Sequence, residues 1–190
     1  MENIYNLIIS LIGSVSGLGI FIDCMLIMIE SIIPPLPLGF FVTILFINYG
    51  IIPGFLMSWI FTILGCVISF YLFQTTFKGL VDKYVRNNKY SDKFIKLIDN
   101  IKFSDLVLII AIPFTPAFLI NIAAGISKIS IKKYLPALLI GKISLVLFWG
   151  LVGTSLIESL KNPISIIKVL ILLFITFIIS KIVSKKLNIN

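Results

Sequence analysis

Between Cys24 and Tyr49 the chain reads CMLIMIESIIPPLPLGFFVTILFINY, an apolar run that carries one acid, Glu30, and the prolines Pro34, Pro35 and Pro37. A helix cannot continue through three prolines in four residues, because each ring removes a donor and crowds the preceding turn. Backbone opened at membrane depth survives only where protein or a watery cavity covers it. The stretch therefore predicts a re-entrant hairpin with its tip at the prolines. Legs of roughly 8–11 residues reach about 12–16 Å, enough to touch the bilayer midplane and return.

The flanking sequence places that hairpin in a bilayer. Ile4–Ile22 is an uncharged apolar run, and Gly54–Phe73 is another. Each is close to the ~20 residues that cross about 30 Å of hydrocarbon. Hydrophobic residues make up 59% of the 190, with a mean hydropathy of +1.14. Soluble domains run near ~45–50% apolar. Asp23 falls between the first span and the hairpin, at an interfacial position. Pro53-Gly54 punctuates a turn over 50–54. Further on, Leu135 to about Val152 and Ile164–Ser180 each span, separated by a polar turn over Glu158–Pro163.

The net charge of +8 sits in clusters beside these runs, which is the pattern of the positive-inside rule and not of a nucleic-acid partner. Lys78–Lys102 holds seven of the sixteen basic residues. Its apolar residues recur at helical spacing, so it reads as a pair of amphipathic helices lying on an anionic leaflet. With Lys128, Lys132 and Lys133, and with Lys181, Lys185 and Lys186, it marks the cytoplasmic side. Both termini are expected inside. The N-terminus lacks a basic signal-peptide region, so the first span is expected to persist. Sparse Arg beside abundant Ile, Lys and Asn matches the codon bias of an AT-rich bacterial genome, so a bacterial cell membrane is the expected location.

A second break lies at Pro113-Phe114-Thr115-Pro116, inside the apolar run Asp105–Gly125, whose first leg Ser104 is placed to cap. Pro34 and Pro113 are 79 residues apart, as are Pro37 and Pro116. Each break leads to a short apolar leg, a glycine (Gly50 or Gly125) and a span with an internal glycine (Gly65 or Gly141). Under the lysine topology the two copies run in opposite senses. Inverted repeats with paired discontinuous segments point to a transport path at their interface. The fold class expected is an all-α integral membrane protein, about four transmembrane helices plus two opposed re-entrant helical hairpins. One domain covers 1–190, with repeat one over about 4–73, the basic segment over about 78–102 and repeat two over about 105–182.

Candidate functional residues follow from cost. Glu30 in a hydrophobic leg is expensive unless paired or wetted, and such residues carry function by default; the alternative is a carboxyl that caps the broken backbone. Lys142, about 12 Å into its span, is placed to bind a phosphate headgroup or to pair with Glu30, or else it snorkels. Asp23 completes the gating candidates. The hairpin-tip set is Pro34, Pro35, Pro37, Pro113, Thr115, Pro116, Asn121 and Gly125, with Thr115 and Asn121 satisfying backbone groups freed at the second tip. Gly65 and Gly141 permit close helix approach, and Trp59 and Trp149 read as packing or interfacial anchors. The chain has no His, and Cys24 and Cys66 are lone residues in apolar runs. No catalytic constellation, metal cluster or cofactor motif is visible, so neither an enzyme nor a cofactor is expected.

Glu30-Ser31-Ile32-Ile33-Pro34-Pro35-Leu36-Pro37 resembles the E-x-x-x-P-P-x-P of the DedA superfamily, and in particular of its VTT-domain branch, the SNARE-associated family. Pro113-Phe114-Thr115-Pro116, with Asn121 and Ala123-Ala124-Gly125, resembles that family's second hairpin, and Gly141-Lys142 its Gly-basic pair. The similarity covers roughly Phe21–Gly153. It implies lipid handling: relatives are similar to phospholipid scramblases or are implicated in recycling a polyprenyl phosphate carrier, with proton coupling. Its partners would be membrane lipids, an anionic phospholipid or polyprenyl phosphate, and protons. Two positions depart from the pattern. Leu38-Gly39 stands where many relatives have an acid, and Ile110 where many have an Arg, so only Glu30 carries over as the acid. Lipid translocation is the leading expectation; a proton-coupled small-solute transporter and a non-transporting interaction protein anchored by the basic loop are the alternatives.

Overall fold

Helices stop on either side of Pro37 and Pro113 but run through Pro53 and Pro136. The structure is a computed structural model, and it describes residues 18–33, 36–77, 79, 89–113, 115, 117–160, 162 and 164–186. Among them are eight α-helices and no strand: α1 (Leu18–Glu30), α2 (Leu38–Tyr49), α3 (Ile51–Thr75), α4 (Lys89–Asn100), α5 (Phe103–Ala111), α6 (Ala117–Ile126), α7 (Ile131–Ser159) and α8 (Ser165–Lys186). The expected span Ile4–Ile22 lies outside the described residues apart from its end. So do Pro34, Pro35 and Pro116 of the expected tips.

Among the described residues three helices are long and apolar enough to cross a membrane: Ile51–Thr75, Ile131–Ser159 and Ser165–Val183. At 1.5 Å per residue α3 is about 37 Å long, more than a hydrocarbon core needs. Its outer face is a stripe of exposed Ile52, Leu56, Ile60, Leu64 and Ile68, spaced four apart. Exposed apolar area of this extent is unstable in water and suited to lipid. Most of α8 presents the same kind of surface, touching the rest of the protein through Val169, Leu172 and Leu173 against Phe148 and Val152 of α7.

Helices α3 and α7 form an antiparallel centre. The Trp59 indole donates to the Leu139 carbonyl at 3.1 Å, and the Phe70 ring stacks on Tyr134 with centroids 5.1 Å apart. Around them the two broken pairs are arranged alike. The first leg of each packs on the long helix of its own repeat, α1 on α3 and α5 on α7. The second leg of each packs on the long helix of the other, α2 on α7 and α6 on α3. Glycines make these approaches possible. A methyl at Gly65 would lie 2.9 Å from Ser31 Oγ, and one at Gly141 would lie 2.7 Å from Ile110 Cγ2. Ser31 and Ile110 stand at equivalent places, 79 residues apart.

Several boundaries differ from the sequence reading. Helix α1 runs through Asp23 without a break, and that side chain is buried at 6% exposure instead of interfacial. One acid within a helix does not interrupt its backbone ladder. The turn over 50–54 shrinks to Gly50, whose φ of 85° turns α2 directly into α3. Pro53 is accommodated because the first turn of a helix needs no donor from it. Gly54 serves packing instead, with the Leu45 carbonyl 2.7 Å from where a methyl would stand. Ser104 lies inside α5, whose N-cap is Lys102, so it does not cap that leg. Glu158 still belongs to α7, and the turn that follows is shorter than the sequence reading has it.

The basic segment also differs. The apolar face of α4 does not meet lipid: Ile95, Ile98 and Ile101 are buried in one cluster with Ile120, Ala124 and Leu106 of the second broken pair. Asp99 accepts from the Lys128 amide at 2.6 Å, and the Lys133 ammonium donates to the Ile101 carbonyl. The helix is thus strapped across the end where α6 meets α7. Lys181 and Lys185 of α8 lie at that same end, because α8 returns antiparallel to α7, whereas Lys168 lies at the opposite end. Residues 80–88 of the expected amphipathic pair lie outside the described residues.

Candidate functional site between the two broken helix pairs

The described residues that flank the two proline breaks lie close to one another. Helix α1 ends at Glu30, and the freed backbone at Ser31 is taken up by other elements. The Ser31 hydroxyl donates to the Thr62 carbonyl at 3.4 Å, and the Cys66 thiol donates to the Ser31 hydroxyl at 3.6 Å. The Ser31 carbonyl accepts from the Asn121 side-chain amide at 2.8 Å, and Asn121 Oδ1 accepts from the Tyr134 hydroxyl at 2.7 Å. Ser31, Asn121 and Tyr134 are all buried. Opened backbone is therefore satisfied by protein, as an apolar surrounding requires. Asn121 satisfies the first tip, not the second as its position in sequence implied. Gly125 is not at a tip either. It lies at the far end of α6, with a methyl's position 2.7 Å from the Phe70 carbonyl.

Beside this junction is a cavity of about 470 Å³. Glu30, Pro37 and Leu38 of the first pair and Pro113, Thr115 and Ala117 of the second line one side of it. Leu145, Trp149, Val152 and Gly153 of α7 line the other. Its rim includes Phe40 and Leu156, 57% and 46% exposed, so the apolar interior continues onto the lipid-suited outer surface. The walls are shaped by close packing of α2 on α7. Gly39 lies against the Trp149 ring, Gly153 lies against Thr43, and the Thr43 hydroxyl turns back to donate to the Gly39 carbonyl at 2.6 Å.

A second space of about 10 Å³, room for roughly one water, adjoins the cavity. Thr115, Ala117 and Leu145 border both spaces, and Lys142 and Asn121 border the smaller one. Lys142 does not snorkel: it is 2% exposed, and its Nζ has no hydrogen-bond partner. Glu30 is 9% exposed, and its Oε2 likewise has none. The two are near enough for Lys142 to act electrostatically on Glu30, yet no hydrogen bond joins them. Asp23 borders neither space. Sequence reasoning missed Ser31 and Tyr134, and it treated Trp149 as an anchor where the structure makes it a cavity wall. The alignment of Ser31 with Ile110 at the 79-residue offset was the available signal for Ser31.

Fold and site define a polytopic helical membrane protein built on two broken helix pairs that share a central cavity. A family model described as the VTT domain matches residues 33–155, and the chain belongs to that family, within the DedA group. It is similar to the uncharacterized membrane protein YhjE of Bacillus subtilis (strain 168), with 24% identity over 180 residues, covering 95% of this chain and 87% of that protein. No solved structure matches the chain.

Proposed function

We propose that the protein moves a phosphate-bearing lipid between the leaflets of a bacterial cell membrane. The observation that carries this reading is the cavity lined by both tips and continuous with exposed Phe40 and Leu156. A headgroup passes along the cavity while its acyl or prenyl chains remain in the surrounding lipid. The broken pairs act as re-entrant hairpins, the first entering from outside and the second from the cytoplasm. They thin the barrier so that the polar path is short. Glu30 gates the path, Lys142 attracts the phosphate, and no bond is made or broken. The end of the bundle that gathers Lys102, Lys128, Lys133, Lys181 and Lys185 faces the cytoplasm.

Reconstitution tests this. The purified protein in vesicles is expected to accelerate leaflet exchange of fluorescent phospholipids or of polyprenyl phosphate at least tenfold over protein-free vesicles. Absence of acceleration for every lipid would move the cavity to a small-solute transporter.

A further inference from the structure

The large cavity reaches only one end of the bundle. Its α7 wall runs from Leu145 to Ile157, towards Asn162, and the small space beside it ends at Leu138. Towards the lysine-rich end the centre is filled instead. Phe70, Ala124, Tyr134 and Ala137 are each at most 1% exposed there. They share one apolar cluster with Ile95 and Ile98 of α4 and with Ile101 just after it, and α4 packs on α6. Two polar contacts hold it in place, the Asp99 carboxylate on the Lys128 amide and the Lys133 ammonium on the Ile101 carbonyl. Both come from the α6–α7 turn and the first turn of α7. Pro136 follows within α7 and supplies no donor, so the end that holds α4 is joined to the cavity wall through a weakened ladder. On its other side α4 is separated from α5 by extended backbone at Lys102, with φ of −69° and ψ of 152°. A helix with one apolar face and with lysines at 89, 93 and 96 can lie on an anionic membrane surface as well as on protein. Apolar area lost on leaving α6 is regained at that surface, which gives the same helix two places to rest.

We propose that α4 is a strap that closes the lysine-rich end of the path and opens it by turning about Ile101 and Lys102 until its apolar face meets the membrane surface. The arrangement seen is then the state open towards Asn162 and shut at the opposite end. Departure of α4 uncovers Ala124 and brings water to the buried Asn121 and Tyr134, which are the polar groups between the small space and that end. What passes when the strap opens rests on the lipid-movement reading above; the movement of α4 itself is measured separately.

The test uses the full chain carrying Cys24→Ala and Cys66→Ala, in vesicles of phosphatidylcholine and phosphatidylglycerol with trace fluorescent phosphatidylglycerol. Asp99→Cys and Lys128→Cys place a thiol pair across the α4 contact. Oxidation is expected to join the pair and to slow leaflet exchange at least tenfold, and reductant to restore it. In a second protein of the same background, without the pair, Ala124→Cys reports the uncovering of α6 to a soluble maleimide. Adding Asp99→Ala to that protein is expected to speed its labelling at least tenfold. Failure of the pair to cross-link, or exchange that is the same in both redox states, would overturn the strap and leave lipid movement standing. No exchange in either state would remove lipid movement, and the maleimide rates then decide the strap alone. Equal labelling of Ala124→Cys with and without Asp99→Ala would overturn it.

Discussion

The side-chain amide of Asn121 donates to the backbone carbonyl of Ser31 at 2.8 Å, across 90 residues of sequence, and so ties one broken helix pair to the other. Its carbonyl oxygen is held in turn by the Tyr134 hydroxyl, which fixes the orientation of the amide. The bond places the end of α1, and with it Glu30, beside the second tip.

Asn121→Leu leaves two buried groups without partners, the Ser31 carbonyl and the Tyr134 hydroxyl. At about 1–3 kcal/mol for each such group, a loss of roughly 2–6 kcal/mol is expected. Tyr134→Phe orphans only Asn121 Oδ1, so about half that loss is expected. The double variant should cost less than the sum, because both changes break the same bond. Thermal unfolding in detergent measures all three. Additive losses would show that the two side chains act independently.

The glycine contacts predict two different responses to added bulk. At Gly65 the neighbours are the Met28 backbone and the Ser31 hydroxyl, so Gly65→Ala should cost about 1–3 kcal/mol and Gly65→Val more. At Gly50 nothing lies within 4 Å, and the strain is in a φ of 85° with ψ of 172°. Gly50→Ala and Gly50→Val should therefore cost about the same, roughly 1–3 kcal/mol. Folded yield and unfolding midpoint across the four variants separate steric from backbone cost. A Gly65 series that is flat with size would contradict the close approach of α1 to α3.

These contacts show what the sequence could and could not reveal. Prolines and long apolar runs announce where helices break and how far they reach, so both helix pairs and the spans α3, α7 and α8 were legible. The partner of Asn121 was not, because hydrogen-bonding capacity does not name a residue 90 positions away. The apolar face of α4 was legible as a face, but periodicity is the same whether Ile95 and Ile98 meet lipid or protein. Asp23 misled because a charge marks a cost, not a boundary. Burial of Lys142 was likewise undecided, since a long stem permits both snorkelling and insertion.

Topology is tested by cysteine accessibility in a background carrying Cys24→Ala and Cys66→Ala. Asn162 and Lys132 are exposed at opposite ends of α7. A cysteine at Asn162 should react with an impermeant thiol reagent applied to intact cells, and one at Lys132 should react only after the membrane is opened. Labelling of the Lys132 position from outside would invert the orientation proposed for the lysine-rich end.

Lys142 gives the sharpest contrast between stability and function. Had it paired directly with Glu30, Lys142→Met and Glu30→Gln would harm folding alike, each stranding the other's charge. The structure leaves Glu30 Oε2 and Lys142 Nζ without hydrogen-bond partners, and Lys142 is buried at a small space whose other lining residues are mostly apolar, Ile110, Ile120, Leu138 and Leu145 among them. Methionine has nearly the same length and no charge to desolvate. Lys142→Met is therefore expected to hold or raise the unfolding temperature in detergent, where no ligand supplies the missing anion. In vesicles the same variant should lose at least tenfold in lipid exchange, because Lys142 is the one buried cation among the described residues and is proposed to attract the phosphate. Replacing a strained functional group commonly trades activity for stability in this direction. A double-mutant cycle with Glu30→Gln completes the test. Strongly coupled stability losses in the two single variants, relieved in the double, would show that the charges meet in the resting protein after all.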